Sequence, residues 1–205
     1  GTINVPAGRT LTLQGGAVGG AGQNFFSSGG IMGGAGTVAL LNSTLNLNTP
    51  LATDMAHLDG TTSTIAGPST LSLKAGTTTP MNNCTIAAPT TVEAGATLQM
   101  LSSTQSGSMF QFGLVEWTGA NDITAGTYAL APGSVFRVQG TASLNSSVSS
   151  TLVLVNAGTI ELTSVGAATA ATLSATLSNQ PAGVIHALAG AGGVRNITGG
   201  IFNEG

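Results

Sequence analysis

Short runs in which apolar and small polar residues alternate recur along the chain, each about five residues long and bounded by Gly, Pro or Asn. Such alternation turns one face of a strand toward a core and the other toward solvent. Two phrases repeat. One is a Gly or Pro turn followed by a strand: PAGRTLTL (6–13), GPSTLSL (67–73), EAGATLQM (93–100) and APGSVFRV (131–138), with LNSTLNL (41–47) a weaker member. The other is an Asn, a short turn and a strand: NNCTIAA (82–88), NAGTIEL (156–162) and NQPAGVIHAL (179–188). No segment carries a capped helical stripe; the threonines at 169, 172 and 176 weigh against helix in the one Ala-rich stretch.

Spacing selects among β architectures. The leading leucines Leu11, Leu45, Leu71 and Leu98 stand 34, 26 and 27 residues apart. A sandwich of hairpins would show long strands and two-residue Asn-Gly turns, and none is present. The expected fold is all-β, a right-handed parallel β-helix (β-solenoid) with irregular rungs of about 20–30 residues and uncapped ends. Eight to ten coils at ~4.8 Å would make a rod about 40–50 Å long. Only four basic and seven acidic side chains occur, 5% of 205 residues, against about 25% in ordinary globular chains. Like charges stacked in register repel, so Thr, Ser and Asn are expected on the solvated faces. With 41% apolar residues and net charge −3 the composition is not that of a disordered chain. No apolar run approaches the roughly 20 residues of a spanning helix, and the scattered basic residues leave no nucleic-acid footprint.

The pattern N-x-G-T-I, followed by x-A-G-x-T-L-x-L and interspersed with G-x-M-x-G-x-G, resembles the β-solenoid repeats of large secreted bacterial surface proteins, the filamentous-haemagglutinin-like and autotransporter-passenger-like adhesins. The resemblance covers most of the chain. It implies a parallel β-helix at the cell exterior, used as a stalk, fibre or adhesive surface, and brings no catalytic signature. One departure stands out: neither end resembles a cap. Written end to end, the termini read IFNEG/GTINVPAGRTLTL, close to LVNAGTIEL with one glycine more. The 205 residues are therefore expected to be a single solenoid module and one period of something longer, as tandem copies or as subunits stacked head to tail. The residues expected at that axial junction are Thr2, Ile3 and Val5 at one end and Ile201, Phe202 and Asn203 at the other.

Catalytic and ligand-binding constellations are sparse. GGAVGGAG (15–22) and GGIMGGAG (29–36) open onto no helix, so they do not read as phosphate loops. The aspartates lie outside any calcium β-roll phrase, and His57, His186 and the lone Cys84 lack metal-ligand spacing. Asp54, His57 and Asp59 form the densest polar cluster, read as a solvated loop. Glu93, Glu116 and Glu161 would stack if the coils align, but no base accompanies them consistently, which disfavours a β-helix polysaccharide lyase or glycosidase. TTST and TTTP are local runs rather than a Thr-x-Thr ladder at fixed period, which disfavours an ice-binding face. The four Asn-x-Ser/Thr tripeptides, at Asn42, Asn83, Asn145 and Asn196, are what an Asn-, Ser- and Thr-rich chain yields by composition. Phe25, Phe26, Phe110, Phe112 and Trp117 are the candidates for lateral contact between neighbouring rods. The expectation is thus a non-enzymatic structural module without cofactor or metal, extracellular or on the cell surface. Its partners would be copies of itself, with surface glycans as the alternative.

Overall fold

The computed structural model describes residues 2–15, 24–27 and 31–204; the side chains of Thr2, residues 24–27, Ile31 and residues 54–56 are outside that description. The described residues form 24 strands and no helix. Every pairing between them is parallel, and the chain stacks as a β-solenoid of about eight turns. Each coil contributes strands to three faces. The first face starts with Thr2–Asn4, the second with Thr10–Gln14 and the third with Asn24–Ser27. Four long strands, Ile31–Leu41, Leu51–Thr61, Ser146–Asn156 and Ala171–Asn179, bend across a corner and serve two faces each.

The coils are shorter and less even than the leucine spacing suggested. Thr97 lies beneath Leu114, 17 positions on, whereas Thr10 lies beneath Thr37, 27 positions on. The discrepancy has a simple origin. Leu11 belongs to the second face, Leu45 to the third and Leu71 to the first, so each interval measured one turn and a third.

Alternation sorts the side chains as expected. On the second face one inward column runs through Val38, Leu58, Leu98, Val115, Phe136 and Ile160, all fully buried. Trp117 and Tyr128 flank Phe136 inside the coil, with ring centroids 5.9 and 5.5 Å away, and the Tyr128 hydroxyl donates to Gln111 Oε1 at 3.1 Å. A second inward column passes through Gly60 because Met81 lies directly above it: a Cβ there would come within 2.4 Å of Met81 Sδ.

The corners explain the recurring phrases. Between first and second faces the A-G or P-G dipeptide sits at the tip of a four-residue turn. Ala96 N–H donates to the Glu93 carbonyl at 3.0 Å and Ser134 N–H to the Ala131 carbonyl at 3.1 Å. Gly95 at φ 82° and Gly133 at φ 83° take the left-handed position of a type II turn. Between second and third faces the chain turns through one left-handed residue per coil: Asn42, Thr62, Asn83 and Ser102, at φ 48–51°, then Gly119 at 72°. After the first four of these the next residue, Ser43, Ser63, Cys84 or Ser103, points inward and joins a ladder of hydroxyl and thiol groups. Ser43 N–H donates to Ser63 Oγ at 3.2 Å, Cys84 N–H to Ser103 Oγ at 3.0 Å, and Ser103 N–H to Asn121 Oδ1 at 2.8 Å. Cys84 is a free, buried thiol occupying a serine position in that ladder, and burial pushes its pKa up. On the first face, Asn156 Nδ2 donates to Asn179 Oδ1 at 2.7 Å and Asn179 Nδ2 to Asn203 Oδ1 at 2.8 Å.

A β-branched residue in the left-handed region is strained by about 1–2 kcal/mol, partly offset by the greater freedom glycine has when unfolded. Thr62→Gly is therefore expected to stabilise the rod by roughly 0.5–1 kcal/mol, and Asn83→Val to destabilise it by a similar amount or more. Thermal or urea unfolding of the two variants checks both signs.

Candidate functional site

Two features separate from the regular coil: the edge of the last coil, and an outward column on the second face. The last coil consists of Val184–Ala187, Arg195–Thr198 and Ile201–Asn203. Ile185 stacks on Ile160, Ile197 on Leu173 and Ile201 on Leu177. The three residues beneath are fully buried, whereas Ile201 is 49% exposed and Ile185 and Ile197 are only partly covered. A slice of core therefore faces outward at this edge. Arg195 stands in an inward column above Ala171. Its guanidinium donates to the carbonyls of Gly192 and Gly193, while its Nε is buried without a partner.

The residues expected at the axial junction divide. Ile201 and Asn203 point inward on this edge. Phe202, 63% exposed, continues the outward column of Phe110, Ala129, Val155 and Ser178, so strand alternation places it on the flank. At the other end, Ile3 stacks beneath Met32 and packs against the core, and the Thr2 side chain lies outside the described residues. Val5 is buried, with its N–H donating to the Gly33 carbonyl at 2.9 Å; it is an interior residue. Ile185 and Ile197 were missed because their phrases differ from the one around Ile201; only the stacking reveals the shared edge. Thr2–Asn4 pairs with residues 31–33 on the first face, while Thr159–Ser164 lies on the second. The spliced phrase is therefore one face out of step with the internal phrase it resembles.

Of the lateral candidates, Phe110 and Phe112 are each 48% exposed. Trp117 is fully buried, because it shares the inward side of Leu114–Thr118 with Val115. Phe25 and Phe26 belong to Asn24–Ser27, but their side chains lie outside the described residues.

The outward column on the second face runs Pro80, Gln99, Glu116, Arg137, Glu161, His186. Arg137 Nη1 donates to Glu116 Oε1 at 2.8 Å and its Nε to Glu161 Oε2 at 2.7 Å; Gln99 Nε2 donates to Glu116 Oε2 at 3.1 Å. Burial opposes the Arg137 charge, but the hydrogen bonds to Glu161 and Glu116 outweigh it and hold the guanidinium protonated more firmly than usual. Charges thus stack here with alternating sign, and a base does accompany the glutamates, contrary to the expectation. Glu93 sits apart at a corner and pairs with Lys74. Both members of the Glu116–Glu161 pair are committed to one guanidinium, which leaves neither positioned as a separate acid or base.

The polar cluster at 54–59 is strand rather than loop. His57 and Asp59 share its outward side, Leu58 between them is buried, and the Asp54 side chain lies outside the described residues. Burial pushes the Asp59 carboxyl up, His57 pulls it down by less, and Asp59 Oδ1 is buried without a partner. Among the described residues no three His, Cys, Asp or Glu side chains are arranged to hold a metal ion. Of the two glycine phrases, residues 16–23 and 28–30 are outside the described residues. Gly34 lies so close to the Val5 carbonyl that a Cβ would fall 2.3 Å from it, so this glycine serves close packing. On the third face Thr44, Thr64, Thr85 and Thr104 do stack in register, one residue wide. Uneven coil length hides that ladder from a fixed-period reading. No helix among the described residues is long and apolar enough to cross a membrane.

No protein-family model, no curated protein and no solved structure matches the chain.

Two electrostatic predictions follow from this geometry. Arg137→Ala leaves Glu116 and Glu161 half-buried without their shared partner and is expected to lower unfolding stability by about 1 kcal/mol. An acid raised in the folded state binds its proton more readily folded than unfolded, so stability falls as pH rises from 3.8 through the raised value. Asp59→Asn is expected to remove that fall and to leave the rod more stable at neutral pH; urea unfolding at acidic and neutral pH measures it.

Proposed function

We propose that the chain is a structural module of an extracellular fibre, sheath or adhesin stalk, extended end to end by completing solenoid coils. The observation that carries this reading is the edge of the last coil, where Ile185, Ile197 and Ile201 leave a slice of core uncovered above a fully buried column. A further coil laid on that edge, from a second copy or from more of the same solenoid, would pair its strands and cover its apolar side chains. Placement outside the cell rests on the motif resemblance alone. Low charge supports a passive scaffold: only three ion pairs occur among the described residues, and each is internally satisfied. The reading assigns no catalysis and no cofactor.

A second reading, binding of surface glycans, has one observation in its favour. A shallow depression of about 340 Å³ on the second face places Asn82, Gln99, Glu116 and Thr118 beside Pro80 and Leu101, a mix of hydrogen-bonding groups and apolar floor.

Electron microscopy of the purified chain separates the outcomes. End-on rods several times the ~40 Å length of a single rod are expected, and Ile185→Asp with Ile201→Asp should leave single rods. Single short rods from the unaltered chain at high concentration would overturn the structural reading. Retention on a glycan surface that Gln99→Ala abolishes would favour the second.

A further inference from the structure

Among the described residues none of the buried side chains is Asp, Glu, Lys or Arg. One cation nevertheless takes an inward position, at the edge of the last coil. Arg195 shares the inward side of its strand with Ile197 and stacks on Ala171, which lies on Ser146. Lys74 and Arg137 each pair with a carboxylate, whereas Arg195 meets neutral acceptors: its Nη1 donates to the carbonyls of Gly192 and of Gly193, the latter at 2.7 Å. Gly190 closes over the same group, since a Cβ there would fall 2.5 Å from Nη2. Nε is buried without a partner. A half-buried guanidinium thus keeps its charge on an uncovered strand, where water on the open side supplies the rest of its solvation.

Covering the strand removes that water. An apolar residue laid over Arg195 would leave a desolvated cation with an unfilled donor, whereas a carboxylate would accept charge-assisted hydrogen bonds from it. Parallel register fixes where the carboxylate belongs. Side chains two positions apart share a face, so the residue over Arg195 stands two places ahead of the one over Ile197, which needs an apolar partner. The strand that fits reads Asp or Glu, any residue, then Ile, Leu or Val. No segment of this chain has that reading. Six of its seven acids are followed two residues on by Ala, Gly or Thr, and the seventh, Glu204, stands beside the last residue. Residues 1–53, which hold the strands that a second copy's opposite edge would present, contain no acid at all.

We propose that the last-coil edge is a docking edge for a different protein, one that presents a parallel β-strand with a carboxylate over Arg195 and an apolar side chain over Ile197. Main-chain pairing supplies the affinity, and these two side-chain positions supply the specificity. A second copy can still add, but it leaves Arg195 unpaired, so the arginine weakens self-addition. An inward charge on an edge strand has that effect in sheet proteins generally. The inference rests on the end-on reading to the extent that both require this edge to accept a strand.

Two measurements test it. A fluorescent peptide Thr-Glu-Ser-Ile-Thr, with the acid and the apolar residue two places apart, is expected to bind the intact chain about tenfold more tightly than its Thr-Gln-Ser-Ile-Thr counterpart. Arg195→Leu should abolish that preference and Arg195→Lys, which keeps the charge, should retain it, with the melting transition kept in both variants. Equal binding of the two peptides, binding of neither, or loss of the preference in the Lys and Leu variants alike would overturn the proposal. The second measurement is the concentration at which end-on rods appear by electron microscopy, which Arg195→Leu is expected to lower about tenfold. Rods whose onset ignores that substitution would overturn this inference and leave the end-on reading standing. Acid-selective peptide binding by a chain that never forms rods would do the reverse.

Discussion

Parallel stacking at about 4.8 Å is the constraint from which the other features follow. Once each strand lies in register on its predecessor, a side chain's nearest neighbour is the residue one coil away, and every position becomes a member of a column. Interior columns then collect Leu, Ile, Val and aromatic residues of matching size. Where two large side chains would coincide the sequence yields, as Gly60 does beneath Met81. Interior polar residues can draw partners from their column: Ser43 N–H donates to Ser63 Oγ, Cys84 N–H to Ser103 Oγ, and Asn156, Asn179 and Asn203 form a chain of amide bonds, whereas Thr79 Oγ1 is buried without a partner.

The same constraint governs charge. A column of like charges would repel at each step, so a low total is expected, but low total is only one solution. The second face uses the other: Glu116, Arg137 and Glu161 alternate in sign, and one guanidinium bridges the coils on both sides of it. Partners 21 and 24 residues apart show no fixed period. That irregularity kept the pairing hidden in the sequence although all three residues were visible in it. The threonine ladder on the third face was hidden for the same reason.

What was legible came from local stereochemistry. Alternation within a strand is set by the backbone alone, so the strands and their buried sides could be read without knowing the coil, and the A-G and P-G dipeptides announced a turn that needs a left-handed residue. What was not legible depended on which strands are neighbours. Leu11, Leu45 and Leu71 look equivalent but occupy three different faces, and Trp117 looks like a surface aromatic until its alternation with Val115 is placed against the core. The corner also resolves the tripeptides at Asn42 and Asn83. A left-handed Asn, an inward Ser43 or Cys84 and an outward Thr44 or Thr85 satisfy that corner, and Thr62-Ser63-Thr64 and Ser102-Ser103-Thr104 do the same without asparagine.

Energetics in such an array are set by nearest neighbours: each coil gains its stability from the two it touches, and an end coil has only one. The exposed Ile201 and the partly covered Ile185 and Ile197 express this directly, since the same columns are sealed one coil below. A coil laid on this edge would give those three columns the second neighbour that the coils beneath already have. Arg195 acts in the opposite sense. An inward cation on an edge strand is one of the devices that discourages indiscriminate strand addition, and its buried, unpartnered Nε makes a covering coil favourable only if that coil brings an acceptor to this corner. On the proposed end-on reading, a coil added here would have to cover Ile185, Ile197 and Ile201 and bring an acceptor to Arg195 Nε at the same time.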